Sequence, residues 1–104
     1  MRRELRDKWV KALRSGEYKQ GRLRLRDIKT NSYCCLGVLC MVDKAEIRDQ
    51  DRDGEELSAK YLKDLNWEVE TMSILTSIND GIGQNPRSFL EIADWIEKNI
   101  EVTD

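Results

Sequence analysis

From Leu36 to Val42 nearly every side chain is apolar: Leu36, Val38, Leu39, Cys40, Met41 and Val42, with only Gly37 between them. In a chain whose residues are 37% charged, such a run belongs in the middle of the core, and the other segments must cover it. Its periodicity does not separate a strand from a buried helix. Continuation into Asp43-Lys44-Ala45-Glu46 favours a helix that starts near Cys35, with Gly37 admitting a close neighbour. A chain of 104 residues closes one modest core, so residues 1–104 are read as a single domain. No stretch approaches the ~20 apolar residues of a membrane helix, and no apolar signal segment follows Met1. A cytoplasmic protein with no membrane partner is the expectation.

The flanking segments supply the cover. Leu5, Trp9, Ala12 and Leu13 recur on one side of a helix that stops at Gly16, with Lys11 and Arg14 near its C-terminal end. Glu17 to Gly21 is polar and glycine-bounded, hence a loop. Arg22-Leu23-Arg24-Leu25-Arg26 then alternates strictly, which predicts a strand with Leu23 and Leu25 on one face and three arginines on the other. Asp27 to Ser32 connects it to Tyr33-Cys34-Cys35, the returning strand of a hairpin whose loop is too long to fix the register. Arg48 to Glu56 reads as a solvated acidic loop. Leu57, Tyr61, Leu62 and Leu65 give a short amphipathic helix, and Trp67-Glu68-Val69-Glu70 alternates as either a short strand or an extended linker. Met72, Ile74, Leu75 and Ile78 form another helical pattern, stopped by Asn79-Asp80-Gly81 and a loop through Pro86. Ser88 and Glu91 make a capping box for a last helix striped by Phe89, Ile92, Ala93, Ile96 and Ile100. The predicted fold is α+β and mainly helical: one short β-hairpin over about residues 22–35, packed on a central buried helix and a C-terminal amphipathic helix.

Several chemistries are excluded or weakened at this level. With no histidine, Ser-His and Cys-His catalysis and Cys2His2 zinc sites are impossible. Cys34, Cys35 and Cys40 cannot complete a tetrahedral metal site and read as small buried hydrophobes. Asp49-Gln50-Asp51-Arg52-Asp53-Gly54 imitates the first half of a calcium loop. The bidentate glutamate needed at its twelfth position is Lys60, and Arg52 sits inside the loop. Ser88 to Asp94 opens like a helix-turn-helix, yet no recognition helix follows and Glu91, Asp94, Glu97 and Glu101 make the surface acidic. No carboxylates cluster in a way that suggests metal-dependent hydrolysis. A non-enzyme without cofactors is expected.

Charge is segregated along the chain. Residues 1–30 carry 11 Lys and Arg against 4 Asp and Glu, whereas residues 31–104 carry 7 against 16. Such a field suits a short anion better than a long duplex, whose outer phosphates would meet carboxylates. Alternatively the two poles face each other within a monomer or dimer. Arg22, Arg24 and Arg26, preceded by Tyr18-Lys19-Gln20-Gly21, can form a phosphate cradle: guanidinium forks hold phosphate oxygens, tyrosine stacks on a base, and Gly21 lets the backbone approach a ligand. Protection of an edge strand against aggregation explains the same arginines; the charge asymmetry favours anion binding.

Three segments carry a resemblance. They are Trp9 through Leu13 running into Arg14-Ser15-Gly16-Glu17-Tyr18-Lys19-Gln20-Gly21, Tyr33-Cys34-Cys35-Leu36-Gly37-Val38-Leu39-Cys40, and Ile78-Asn79-Asp80-Gly81 with Ser88-Phe89-Leu90-Glu91-Ile92-Ala93-Asp94-Trp95-Ile96-Glu97. Together they resemble a family of short, uncharacterised phage and prophage proteins, over most of the chain except about residues 43–70. The resemblance implies a setting in which small proteins bind host components stoichiometrically. Counter-defence sponges that sequester nucleotide immune signals are one such class. Tyr18, Gln20, Asn79 and Asp80 are the polar residues of the matched segments that a core does not require. Asn79 and Asp80 would read a base edge or ribose hydroxyls, or would simply cap a turn. The candidate ligand site is therefore Tyr18, Lys19, Gln20, Arg22, Arg24, Asn79 and Asp80. Its expected ligand is a cyclic nucleotide or ADP-ribose derivative, bound by a homo-oligomer in the host cytoplasm. The alternative is a protein inhibitor of a host enzyme that uses a charged surface, the acidic one as a nucleic-acid mimic.

Overall fold

A computed structural model describes residues 1–45 and 56–103. Its elements are α1 (Arg3–Ser15), β1 (Arg26–Asp27), β2 (Ser32–Tyr33), α2 (Cys35–Asp43), α3 (Ala59–Leu65), α4 (Val69–Asp80) and α5 (Phe89–Asn99). The fold is α+β and mainly helical. Among the described residues, no helix is long and apolar enough to cross a membrane. The acidic run 49–54 that imitates a calcium loop lies outside the described residues.

The apolar run is the core helix α2. Cys35, Leu36, Gly37, Val38, Leu39 and Cys40 are all buried, so this helix has almost no solvent face over its first two turns. It ends sooner than the sequence pattern suggests. Lys44 takes a left-handed conformation at φ 55°, and its N–H reaches back to the carbonyls of Cys40 and Met41, so Asp43 is the last helical residue. Helix α1 lays Leu5, Trp9, Val10 and Leu13 against α2 and α5. It stops at Gly16, whose φ of 78° suits a residue without a Cβ. The Trp9 ring is fully buried and donates its Nε1–H to the Cys35 carbonyl at 2.8 Å, which satisfies the one polar atom of a large apolar side chain. Helix α5 begins with the expected capping box, Ser88 with Glu91, and buries Phe89, Ile92, Ala93 and Ile96.

Two expectations are corrected. The alternation at residues 22–26 is not a strand: only Arg26 and Asp27 pair, antiparallel to Tyr33 and Ser32. Leu25 is buried while Leu23 is 63% exposed with φ 71°, so the two leucines do not share a face. The reason lies in α2. Its helix starts at Cys35, which removes the partner strand that a longer hairpin would need. The Cys34 N–H still reaches the Leu25 carbonyl at 3.3 Å, in register with these pairs, and the pairing stops there. The second correction concerns Trp67 to Glu70, where Val69 and Glu70 already form the first turn of α4.

Candidate functional site

The loop that carries most of the candidate residues is fixed by backbone pairing with β2. Gly21 N–H donates to the Tyr33 carbonyl at 2.7 Å, and Tyr33 N–H donates to the Lys19 carbonyl at 2.9 Å. Tyr18 packs edge-on against the ring of Tyr33, with centroids 5.4 Å apart and planes at 89°. That contact seats the Tyr18 ring on β2. Gly21 is needed here because a Cβ would overlap the Ser32 hydroxyl. The neighbour that this glycine admits is the Ser32 side chain.

Behind the loop, the end of α4 supplies a closed polar network. Asn79 is fully buried. Its Oδ1 accepts from Gln20 Nε2 at 3.0 Å and from the Cys35 N–H at 3.1 Å. Its Nδ2 donates to the Gly21 carbonyl and to Asp80 Oδ1, both at 2.9 Å. Those four bonds use the full capacity of a carboxamide. Gln20 also donates to the Arg87 carbonyl at 2.8 Å. Asp80 Oδ1 accepts the Leu23 N–H at 3.0 Å, which helps hold Leu23 in its left-handed conformation.

The seven candidates therefore divide. Gln20, Asn79 and Asp80 are brought together, but as the clamp that shapes residues 20–23 from behind. Tyr18 is turned to Tyr33. Lys19, Arg22 and Arg24 stand exposed on the outer side of the clamped loop. Arg26, which the alternation placed in the same row, is half-buried in β1.

Elsewhere, Arg14 donates to both Asp94, at 2.7 Å, and Glu97, so it ties α1 to the acidic side of α5. Hydrogen bonds to Asp94 and then Glu97 raise its guanidinium pKa further. A surface recess of about 510 Å3 opens beside this bridge, lined by Asp7, Val10, Lys11, Arg14, Ser15 and Glu97. Sequence reasoning missed it because its α5 wall, Glu97, lies 83 residues from Arg14. The three cysteines are free and buried. Burial pushes Cys34 up to about 11 and Cys40 up to about 12, and raises Cys35 well above the ordinary thiol range. Such thiols are poor nucleophiles. Among the described residues no group of three His, Cys, Asp or Glu side chains is placed to hold a metal ion.

The chain matches no curated protein and no solved structure. Residues 1–69 match a family model, the domain of unknown function DUF8296, and on that match the chain belongs to this family.

Proposed function

We propose that this chain is a non-catalytic capture protein of the phage counter-defence type. On this reading it sequesters a small, nucleotide-type anionic signal in the host cytoplasm. The observation that carries the proposal is the placement of Lys19, Arg22 and Arg24 on a loop held rigidly from behind by Gln20, Asn79 and Asp80. A preorganised loop spares much of the ordering cost of binding, and guanidinium groups grip phosphate oxygens in pairs. The clamp has no capacity left on Asn79 to read a base, so recognition rests on the phosphates. The inhibitor reading through nucleic-acid mimicry is weaker, since Arg14 engages two of the acids on α5, Asp94 and Glu97.

The test is a thermal-shift panel of cyclic dinucleotides, cyclic trinucleotides and ADP-ribose derivatives. A ligand at a hundredfold over its Kd adds about 2.7 kcal/mol, which moves the Tm of a domain this size by roughly 10–20 °C. The stabilising ligand should be recovered intact after heat release, and the shift should vanish in Arg22→Ala/Arg24→Ala. Ligand returned cleaved would make the protein an enzyme. Silence across the panel, or an undiminished shift in the double variant, would sink the proposal.

A further inference from the structure

Two exposed tripeptides on this chain are charge mirrors of each other. In Arg22-Leu23-Arg24 an apolar residue stands between two cations, with Leu23 63% exposed. In Glu68-Val69-Glu70 an apolar residue stands between two carboxylates, with Val69 59% exposed. All six residues are exposed.

Their positions are related by α4. Val69 opens that helix, and Asp80, its last residue, accepts the Leu23 N–H at 3.0 Å. The acidic tripeptide therefore sits at one end of α4 and the basic one at the other, about 16 Å apart along a helix of this length. Between them the solvent side of α4 carries Glu70, Ser73, Ile74 and Ser77, none of them buried. Ile74, 45% exposed, falls near the middle of the helix. The two serines beside it leave room for another helix to come close.

We propose that two copies of this chain pair through their α4 helices, antiparallel about a two-fold axis near Ile74. The Arg22-Leu23-Arg24 of each copy then meets the Glu68-Val69-Glu70 of the other. A two-fold contact uses one surface twice, so that each residue's partner finds the reciprocal partner across the axis. A basic and an acidic motif at opposite ends of one helix satisfy that requirement. The parallel arrangement does not, since it sets arginine against arginine and glutamate against glutamate. The pairing also accounts for Leu23. A leucine in the left-handed region is strained, and here the strain, fixed by Asp80, turns an apolar side chain to solvent in the monomer. In the pair it lies beside Val69 of the second copy. A contact of one helix face and two loops is small for an interface, so a reversible, concentration-dependent association is expected.

Sedimentation equilibrium of the full chain across the micromolar range tests this. The expected result is a monomer–dimer equilibrium that weakens as salt is added. Arg22→Glu/Arg24→Glu and Glu68→Lys/Glu70→Lys should each be monomeric, with unchanged circular dichroism. An equimolar mixture of the two should form a heterodimer, because both contacts are then complementary again. That rescue separates loss of contact from loss of fold. A wild-type chain that stays monomeric at every concentration would overturn the proposal. So would charge variants that still dimerise alone, or a mixture that stays monomeric. An arginine paired with Glu68 or Glu70 of the second copy is not free for phosphate, and the Glu68→Lys/Glu70→Lys variant keeps Lys19, Arg22 and Arg24 unpaired, so ligand binding by that variant tests the ligand reading separately from the pairing.

Discussion

Asn79 Oδ1 accepts the N–H of Cys35 at 3.1 Å, so the first turn of the core helix is capped by a side chain at the end of α4, 44 residues away. Cys34, the residue in the N-cap position, makes no side-chain cap of its own. One carboxamide thus replaces the local cap and at the same time holds Gln20, Gly21 and Asp80. Asn79→Ala leaves the Cys35 N–H and the Gly21 carbonyl without that partner. At about 1–3 kcal/mol for each stranded buried group, a loss of roughly 3 kcal/mol or more is expected. Thermal unfolding should show Tm falling by something on the order of 12–20 °C. Exposed Asn85→Ala serves as the control and should stay within about 0.5 kcal/mol.

Gly37 and Gly83 separate two reasons for a glycine. A Cβ on Gly37 would overlap the Leu25 carbonyl oxygen and lie 2.7 Å from its carbon, both of them backbone atoms that cannot swing aside. Gly83 has open space around it but a φ of 70°. Gly37→Ala should therefore cost at least about 1–3 kcal/mol through overpacking and lift residues 22–26 off the helix. Gly83→Ala should cost only about 1 kcal/mol of backbone strain. Urea unfolding gives the energies. Trypsin gives the local effect, with cleavage at Arg22, Arg24 and Arg26 accelerated in Gly37→Ala alone.

The helices were legible because each is specified by its own residues. The stripe of α1, the capping box of α5 and the apolar run of α2 all act within one or two turns. Residues 22–26 were misread for the opposite reason. Their alternation is a local strand signal, but the partner strand would have to come from residues that α2 claims, and that competition is tertiary. The same limit applies to Asn79 and Gln20. Sequence reasoning found both as polar residues the core did not require, and it placed Asn79 beside Asp80. That Gln20 and the Cys35 amide would fill its remaining positions is visible only once α2, α4 and the loop are assembled. Whether Arg22 and Arg24 face solvent or the acidic half was open at the level of sequence, and both stand exposed on a loop rather than on a strand face.

The family match ends at residue 69, but the packing does not. Helix α1 buries Leu5, Trp9, Val10 and Leu13 partly against α5, and the cap of α2 comes from α4. A fragment of residues 1–69 should therefore lack a cooperative unfolding transition and show dispersed amide resonances only weakly, whereas the full chain unfolds in one step. A fragment that melts cooperatively would mean that α4 and α5 are accessories to a core already complete.

Buried thiols give the chain a defined alkaline limit. Burial holds Cys34 at about 11 and Cys40 at about 12, and Cys35 is raised as well. In the unfolded chain all three ionise near the ordinary thiol value of about 8.5. Above that pH the unfolded state binds fewer protons than the native state, so stability falls as pH rises. It is fully retained below about pH 8.5 and lost progressively up to pH 11–12. Each thiol contributes at most about 1.4 kcal/mol per pH unit. Tyr61, raised first by burial and then by its hydrogen bond to Asp43 at 2.6 Å, adds to the decline from about pH 10. Urea midpoints measured from pH 7 to 11 should trace this fall, and Cys40→Ala should make it shallower by about one thiol's share. Alkylation at pH 8 supplies the independent check: no cysteine should react in the native protein, and all three should react in denaturant. A midpoint that stays flat between pH 9 and 11 would mean that the thiols ionise as readily in the folded chain as in the unfolded one.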